Sequence, residues 1–244
     1  TISTYMRMLR SIYNRGVDMH QAPYVHGLFR DVFTGVDTRQ KKAIPIGELH
    51  MLLNKDPQSE KLRRTQAIAN LLFQFCGMPF SDLAHLEKSN LERGLLKYNR
   101  TKTGTPMSIE VLESAQNAIG GLYNKSDARS SGYPDYLFRI LSGAYKRNEE
   151  GAYREYQSAL RRFNNELKSL SRKLRLHSPV TSYTLRHSWA TTAKYRGVPI
   201  EMISESLGHK SIKTTQIYLK GFELEERTKV NKLNYSYVCN FKTL

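Results

Sequence analysis

Three short runs in the last quarter of the chain hold side chains with unusual chemical reach. They are Thr184-Leu185-Arg186-His187-Ser188-Trp189, Leu207-Gly208-His209-Lys210 and Thr214-Thr215-Gln216-Ile217-Tyr218, with Tyr218 nine residues after His209. A guanidinium is planar, permanently charged and able to hold two phosphate oxygens at once, which an ammonium matches poorly. A phenol can act as a nucleophile, and phenolate also departs well, so an ester made on it can be reversed. Upstream, Arg100-Thr101-Lys102-Thr103-Gly104 offers a mobile ammonium able to give up a proton. Residue types alone leave ordinary readings open. Any one of the 15 Tyr is by default a packing group, Arg186 could be a surface residue or an ion-pair partner, and Lys102 a plain hairpin cation. His187 is read as structural, holding its helix.

Such groups need a scaffold, and the apolar periodicity predicts a mainly helical one. Residues 183–196, 199–207 and 211–219 read as helices broken at Val198-Pro199 and Gly208. Further helices are expected over 110–124, 134–146 and 151–175. Leu95–Tyr98 and Pro106–Val111 carry β-formers on either side of a Gly-containing turn, which predicts a hairpin. Ile46, Leu49, Leu52 and Leu53 fit a helix after Pro45. A longer helix over 59–76 turns Ile68, Leu71, Leu72 and Phe75 inward and stops at Gly77, and a short one follows near 81–87. Residues 4–15 set Tyr5, Met8, Leu9, Ile12 and Tyr13 on one face with little nearby to pack on, so the chain reads as a fragment lacking an N-terminal domain. Residues 30–44 read as a linker. The expected fold class is mainly α with a small antiparallel β-sheet (α+β), divided into 1–36, a helical remnant plus linker, 37–225, the main domain, and 226–244, a tail.

Composition narrows the partner. Lys and Arg number 38 against 22 Asp and Glu, a formal charge of +16, which predicts a polyanion. The stretch Arg139 to Arg175 holds ten Lys or Arg and four Glu, with Phe138, Tyr145, Tyr153, Tyr156 and Phe163 between the charges. It is expected to form a helix pair with a cationic face. Cys76 and Cys239 lack the companion spacing of a zinc site or a disulfide framework. No apolar run reaches the roughly 18 residues of a membrane span. A reducing cytosol fits best.

The runs quoted above closely resemble the C-terminal signature of the tyrosine recombinase (phage integrase) family, in which an Arg lies in "LRH", a His in "LGH" and a nucleophilic Tyr follows. The resemblance continues weakly through the hairpin and Gly77-Met78-Pro79-Phe80-Ser81-Asp82-Leu83-Ala84, covering about residues 40–225, and looks most like recombinases of bacterial mobile elements. It implies a catalytic domain that cleaves and rejoins DNA through a 3′-phosphotyrosine, in site-specific integration, excision or inversion, with no metal, no ATP and no other cofactor. By resemblance Tyr218 is the nucleophile, Arg186 and His209 bind the phosphate, and Lys102 protonates the leaving oxygen. Residues 1–36 would belong to a core-binding domain. The tail, with Leu224, Val230, Leu233 and Tyr237 at loosely helical spacing, would pack on a neighbouring protomer or on its own domain. Double-stranded DNA is the implied partner, with four protomers on paired sites, in a cytoplasmic, nucleoid-associated bacterial setting and with no membrane. Arg100, Lys210, Lys213, Arg161, Arg162 and Lys173 are the expected DNA contacts.

The pattern departs from the family at two places. Another Arg usually stands just before the Gly or two residues after it, and this chain has Cys76 and Pro79. Tyr183 occupies the usual general-base His position. Arg63, Arg64 or Arg93 could fill the space, and Tyr183 could still bond the phosphate. The rival readings are a weakened or inactive DNA-binding relative and a type IB topoisomerase, which shares the chemistry but needs no defined site. No acidic cluster suggests a two-metal nuclease.

Overall fold

The computed structural model describes residues 2–34, 43–125, 133–219 and 224–239, without the side chains of 217, 218, 224–227, 229, 237 and 238. The linker expected over 30–44 therefore falls largely outside the described residues. The chain divides into two compact units, 1–41 and 42–244.

The first unit is one amphipathic helix, α1 (Ile2–Asp18), and the loop that folds back along it. Tyr13 ties the loop down: its hydroxyl donates to the Pro23 carbonyl at 2.9 Å and accepts from the Val25 N–H at 2.6 Å. The expected apolar face is present but uncovered within the unit, with Tyr5, Met8, Leu9 and Ile12 all more than half exposed.

The second unit is built around α3 (Glu60–Gln74), which packs against α2 (Ile46–Asn54), α5 (Glu113–Leu122), α6 (Glu150–Lys173) and α7 (Ser182–Tyr195). Ile68, Ala69, Leu71 and Leu72 recur at helical spacing and are buried, so α3 is apolar on most of its circumference. Ala159, Phe163, Leu167 and Leu170 form the buried stripe of α6, and Phe163 stacks on Phe80 at 4.8 Å. Among the described residues, no helix is long and apolar enough to cross a membrane.

The sheet is antiparallel, in the order β1 (Leu91–Glu92), β2 (Leu95–Asn99), β3 (Pro106–Glu110), with Leu96 opposite Ile109 and Asn99 opposite Pro106. Leu96 and Ile109 face the core. Arg93 and Gly94 both have positive φ, the backbone that a two-residue connection between twisted strands requires. The two-residue β1 was too short to show in the sequence.

Two expectations are corrected. Residues 134–146 are irregular and bridge Glu87 and Tyr123 through Tyr136 and Phe138. The basic stretch is consequently one long helix preceded by an irregular segment, not a helix pair. The tail is helical as α10 (Leu224–Cys239), and its Val230, Leu233 and Tyr235 are exposed.

Candidate active site

The position of Arg186 is set by the start of α7. Thr181 opens that helix with a reciprocal cap, its hydroxyl accepting from the Thr184 N–H at 3.2 Å while the Thr184 hydroxyl accepts from the Thr181 N–H at 2.8 Å. One turn later Arg186 points into the fold, 6% exposed. Its Nη1 donates to the Gly77 carbonyl at 2.9 Å and its Nη2 to the Leu207 carbonyl at 2.6 Å.

Gly77 permits this approach. It follows Cys76 at the end of α3, both residues have positive φ, and an added Cβ on Gly77 would sit 3.2 Å from the Arg186 Cα. The chain then enters α4 (Phe80–Ala84) at Pro79. Cys76 is half-buried, and burial pushes its thiol up, so it stays neutral at physiological pH.

Leu207 and Gly208 end α8 (Ile200–Ser206) and present His209. The His209 Nε2 lies 3.2 Å from Arg186 Nη2, and Nδ1 lies 2.8 Å from the Thr215 hydroxyl. A guanidinium only donates, so Nε2 accepts and the imidazole proton sits on Nδ1, donated to Thr215. Burial first, then the charges of Arg186, Arg100 and Lys102, hold His209 down to about 4. Thr215 is fully buried in α9 (Ile212–Tyr218), the helix that ends on Tyr218. The Lys194 ammonium, lowered by burial, reaches the Leu219 carbonyl just past that end at 3.4 Å. The side chain of Tyr218 itself lies outside the described residues.

The hairpin supplies the opposite wall. Arg100, an expected DNA contact, is only 7% exposed. Its Nη1 donates to the same Leu207 carbonyl at 3.2 Å, and its Nε faces Asp82 Oδ2 of α4 at 3.2 Å. That contact is an ion pair off the line of a hydrogen bond, leaving both buried atoms without a hydrogen-bond partner. Asp82 Oδ1 accepts from the Thr101 N–H at 3.1 Å and so pins the base of the turn. Lys102 is exposed in that turn.

The other expected residues are spread out. Tyr183 is 42% exposed on the first turn of α7. Lys210 is exposed just before α9 and Lys213 on its first turn, and Arg161, Arg162 and Lys173 are exposed on α6. Arg63 is exposed and paired with Asp56 and Glu60, Arg64 donates to the Arg139 carbonyl at 2.5 Å, and Arg93 sits in the β1–β2 turn. Asp82, Thr215 and Lys194 escaped the sequence reading. Asp82 and Thr215 lie within the quoted runs, where they were given no role of their own. Among the described residues, no group of three His, Cys, Asp or Glu could hold a metal ion. The arrangement is a cationic, half-buried recess with a neutral imidazole, suited to an oxyanion.

Comparison with known proteins fits this geometry. A protein of Methanocaldococcus jannaschii described as a probable integrase/recombinase is 28% identical over 204 residues, covering 81% of this chain and 58% of its own. The tyrosine recombinase XerD of Halalkalibacterium halodurans is 30% identical over 190 residues, 74% of this chain and 57% of its own. The chain thus spans somewhat under three-fifths of the length of these relatives. In fold it is similar to the Tn1549 transposon integrase in complex with a circular intermediate DNA, with a TM-score of 0.62, 16% identity and coverage of 91% of this chain and 77% of that one. Residues 46–224, from the first turn of α2 to the start of α10 and including every side chain of the recess, match the phage integrase family, and the chain belongs to it.

Proposed function

We propose that this chain is the catalytic part of a site-specific DNA recombinase that cleaves and rejoins strands through a 3′-phosphotyrosine at Tyr218. The observation that carries the reading is the contact of Arg186 Nη2 with both the Leu207 carbonyl and His209 Nε2, with His209 bonded in turn to the helix that ends on Tyr218. The scissile phosphate would take the place of the carbonyl and imidazole as acceptor for Arg186. The Tyr218 oxygen forms a bond to phosphorus, the bond to the 5′ oxygen breaks, Lys102 protonates that oxygen, and the phenolic proton passes to water. Tyr183, at the mouth of α7, bonds the phosphate from the side where the family commonly has His. Duplex DNA is the partner, held by Lys210, Lys213, Arg161, Arg162 and Lys173. The Tn1549 integrase was captured on DNA, which supports that assignment. Joining two duplexes at two strands each calls for four protomers, and the exposed apolar residues of α10 are the segment offered to a neighbour. A cytoplasmic, nucleoid-associated setting in bacteria goes with this role.

The absence of a cation at Cys76 and Pro79 favours a second reading, a DNA-binding relative without the reaction. The two separate cleanly. Nicked duplexes with randomised cores, from which the cleaved end diffuses away, are incubated with the chain. A covalent adduct mapped to Tyr218 by mass spectrometry is expected, and sequencing the trapped DNA yields the site. DNA binding with no adduct, in the face of prolonged incubation, would establish the inactive relative. Relaxation of arbitrary supercoiled plasmids would instead indicate a topoisomerase.

A further inference from the structure

Buried arginine is uncommon and is usually a paired residue with a task. Arg100 and Arg186 are buried to the same degree and donate to the same carbonyl oxygen, so two guanidiniums lie side by side in the recess. Resting on the strand-transfer reading, we propose that Arg100 supplies the second phosphate-binding guanidinium of the site, delivered from the β2–β3 hairpin in place of the cation that Cys76 and Pro79 cannot provide.

Several features of the fold converge on this role. The Nε side of Arg100 faces Asp82, which fixes the plane of the group, while Nη1 meets Leu207 and Nη2 has no hydrogen-bond partner among the described residues. A donor is thereby left over on a guanidinium that shares its Leu207 acceptor with Arg186. Gly208 makes room for it, since a Cβ there would lie 2.9 Å from the Arg100 Cγ. The carboxylate that orients Arg100 comes from α4, directly after Pro79, so the same turn that lacks the cation holds the group that positions its replacement. Arg186, Arg100 and Lys102 all act on the His209 imidazole, which places three cations around one point. An incoming phosphate would balance that charge. A guanidinium that only braced the hairpin would need Asp82 and Leu207, and would gain nothing from lying beside a second guanidinium.

The test compares a phosphate and a methylphosphonate at the scissile position of the trapped site, using the full chain. A methylphosphonate replaces one charged oxygen by methyl and so removes the need for one of two cations. Arg100→Ala is expected to lower adduct formation on the phosphate by about 100-fold or more, the usual effect of deleting one oxyanion donor, and to recover at least about tenfold on the methylphosphonate. Because Arg100→Ala strands Asp82, R100A/D82N is measured in parallel, with circular dichroism and DNA binding as checks that the chain folds. The same rescue is expected for it. Arg100→Lys should fall between wild type and Arg100→Ala on the phosphate. Adduct yields within about threefold of wild type, or losses equal on both substrates in the folded variants, would overturn the proposal while leaving strand transfer intact. If wild type itself forms no adduct, the strand-transfer reading falls first and this proposal with it.

Discussion

His209 is in the wrong state to give a hydrogen bond to phosphate from Nε2, because that nitrogen accepts from Arg186. A phosphate bound by Arg186 would release Nε2 and add negative charge beside it, and both effects raise the affinity of the imidazole for a proton. DNA binding should therefore take up a proton at His209. Since the free protein holds this group near 4 and the complex would hold it higher, affinity should strengthen as pH falls between those two values. Folding has the opposite sign. The unfolded chain, with a value near 6.5, binds the proton more readily, so the stability due to a neutral His209 is complete above about 6.5 and is lost as pH falls toward 4. Nitrogen chemical shifts of His209 measured with and without DNA check the first expectation, and melts of wild type and His209→Gln at two pH values check the second. An imidazole that stays neutral in the complex would refute proton uptake. The meeting of Arg186 and His209 was legible in the sequence because their motifs lie within one short stretch. Arg100 was named there as a DNA contact, but its burial was not legible, since it depends on Leu207, 107 residues away, and no local pattern encodes that meeting.

The elements behave in the same way: local signals survive, and tertiary pairing decides the rest. Helices α3 and α6 follow from their apolar stripes. Residues 134–146 also show helical spacing at Leu137, Ile140 and Leu141, all buried, yet Tyr136 and Phe138 pair with Glu87 and Tyr123 instead. Bridging to neighbouring segments overrode an apparent period in a stretch that opens with Pro134 and contains Gly143. The turn between α8 and α9 makes a sharper case. Gly208 has a φ of +63°, and a Cβ would meet the Met107 sulfur at 2.8 Å and the Arg100 Cγ at 2.9 Å. Gly77 has a φ of +64° and its nearest neighbours include the Arg186 backbone at 3.2 Å, which cannot swing aside. Both Ala variants incur left-handed strain of about 1–2 kcal/mol. Gly77→Ala should add a further packing cost of about 1–3 kcal/mol because α7 must move, whereas Gly208→Ala meets side chains only, the Met107 sulfur and the stem of the buried Arg100. Urea denaturation is expected to show the larger loss for Gly77→Ala. Gly208→Ala should lower adduct yield more than its stability loss explains, and full activity in that variant would break the link between this turn and Arg100.

On the scale of the whole molecule, a charge of +16 must be divided between the recess and the outer surface. Arg100 and Arg186 are buried, and under the proposal both would serve a single phosphate. Arg161, Arg162, Lys168, Arg172 and Lys173 instead lie exposed on α6, opposite the buried stripe of Phe163, Leu167 and Leu170. If this face is the proposed DNA surface, it would hold phosphates along a duplex, positioning the protein without reading bases. Each phosphate neutralised by it should add about 0.9 to the slope of log affinity against log salt. Arg161→Ala/Arg162→Ala/Lys173→Ala should then reduce that slope by up to about 2.7, weaken binding on all sequences alike, and leave the rate of adduct formation by bound protein near wild type. Arg100→Ala should do the reverse, with a slope nearly unchanged and a rate that collapses. Titrations from low to moderate salt with both variants make the comparison. A triple variant with the wild-type slope would show that α6 faces away from the duplex, and would move the binding surface to the side of the molecule that carries Lys210 and Lys213.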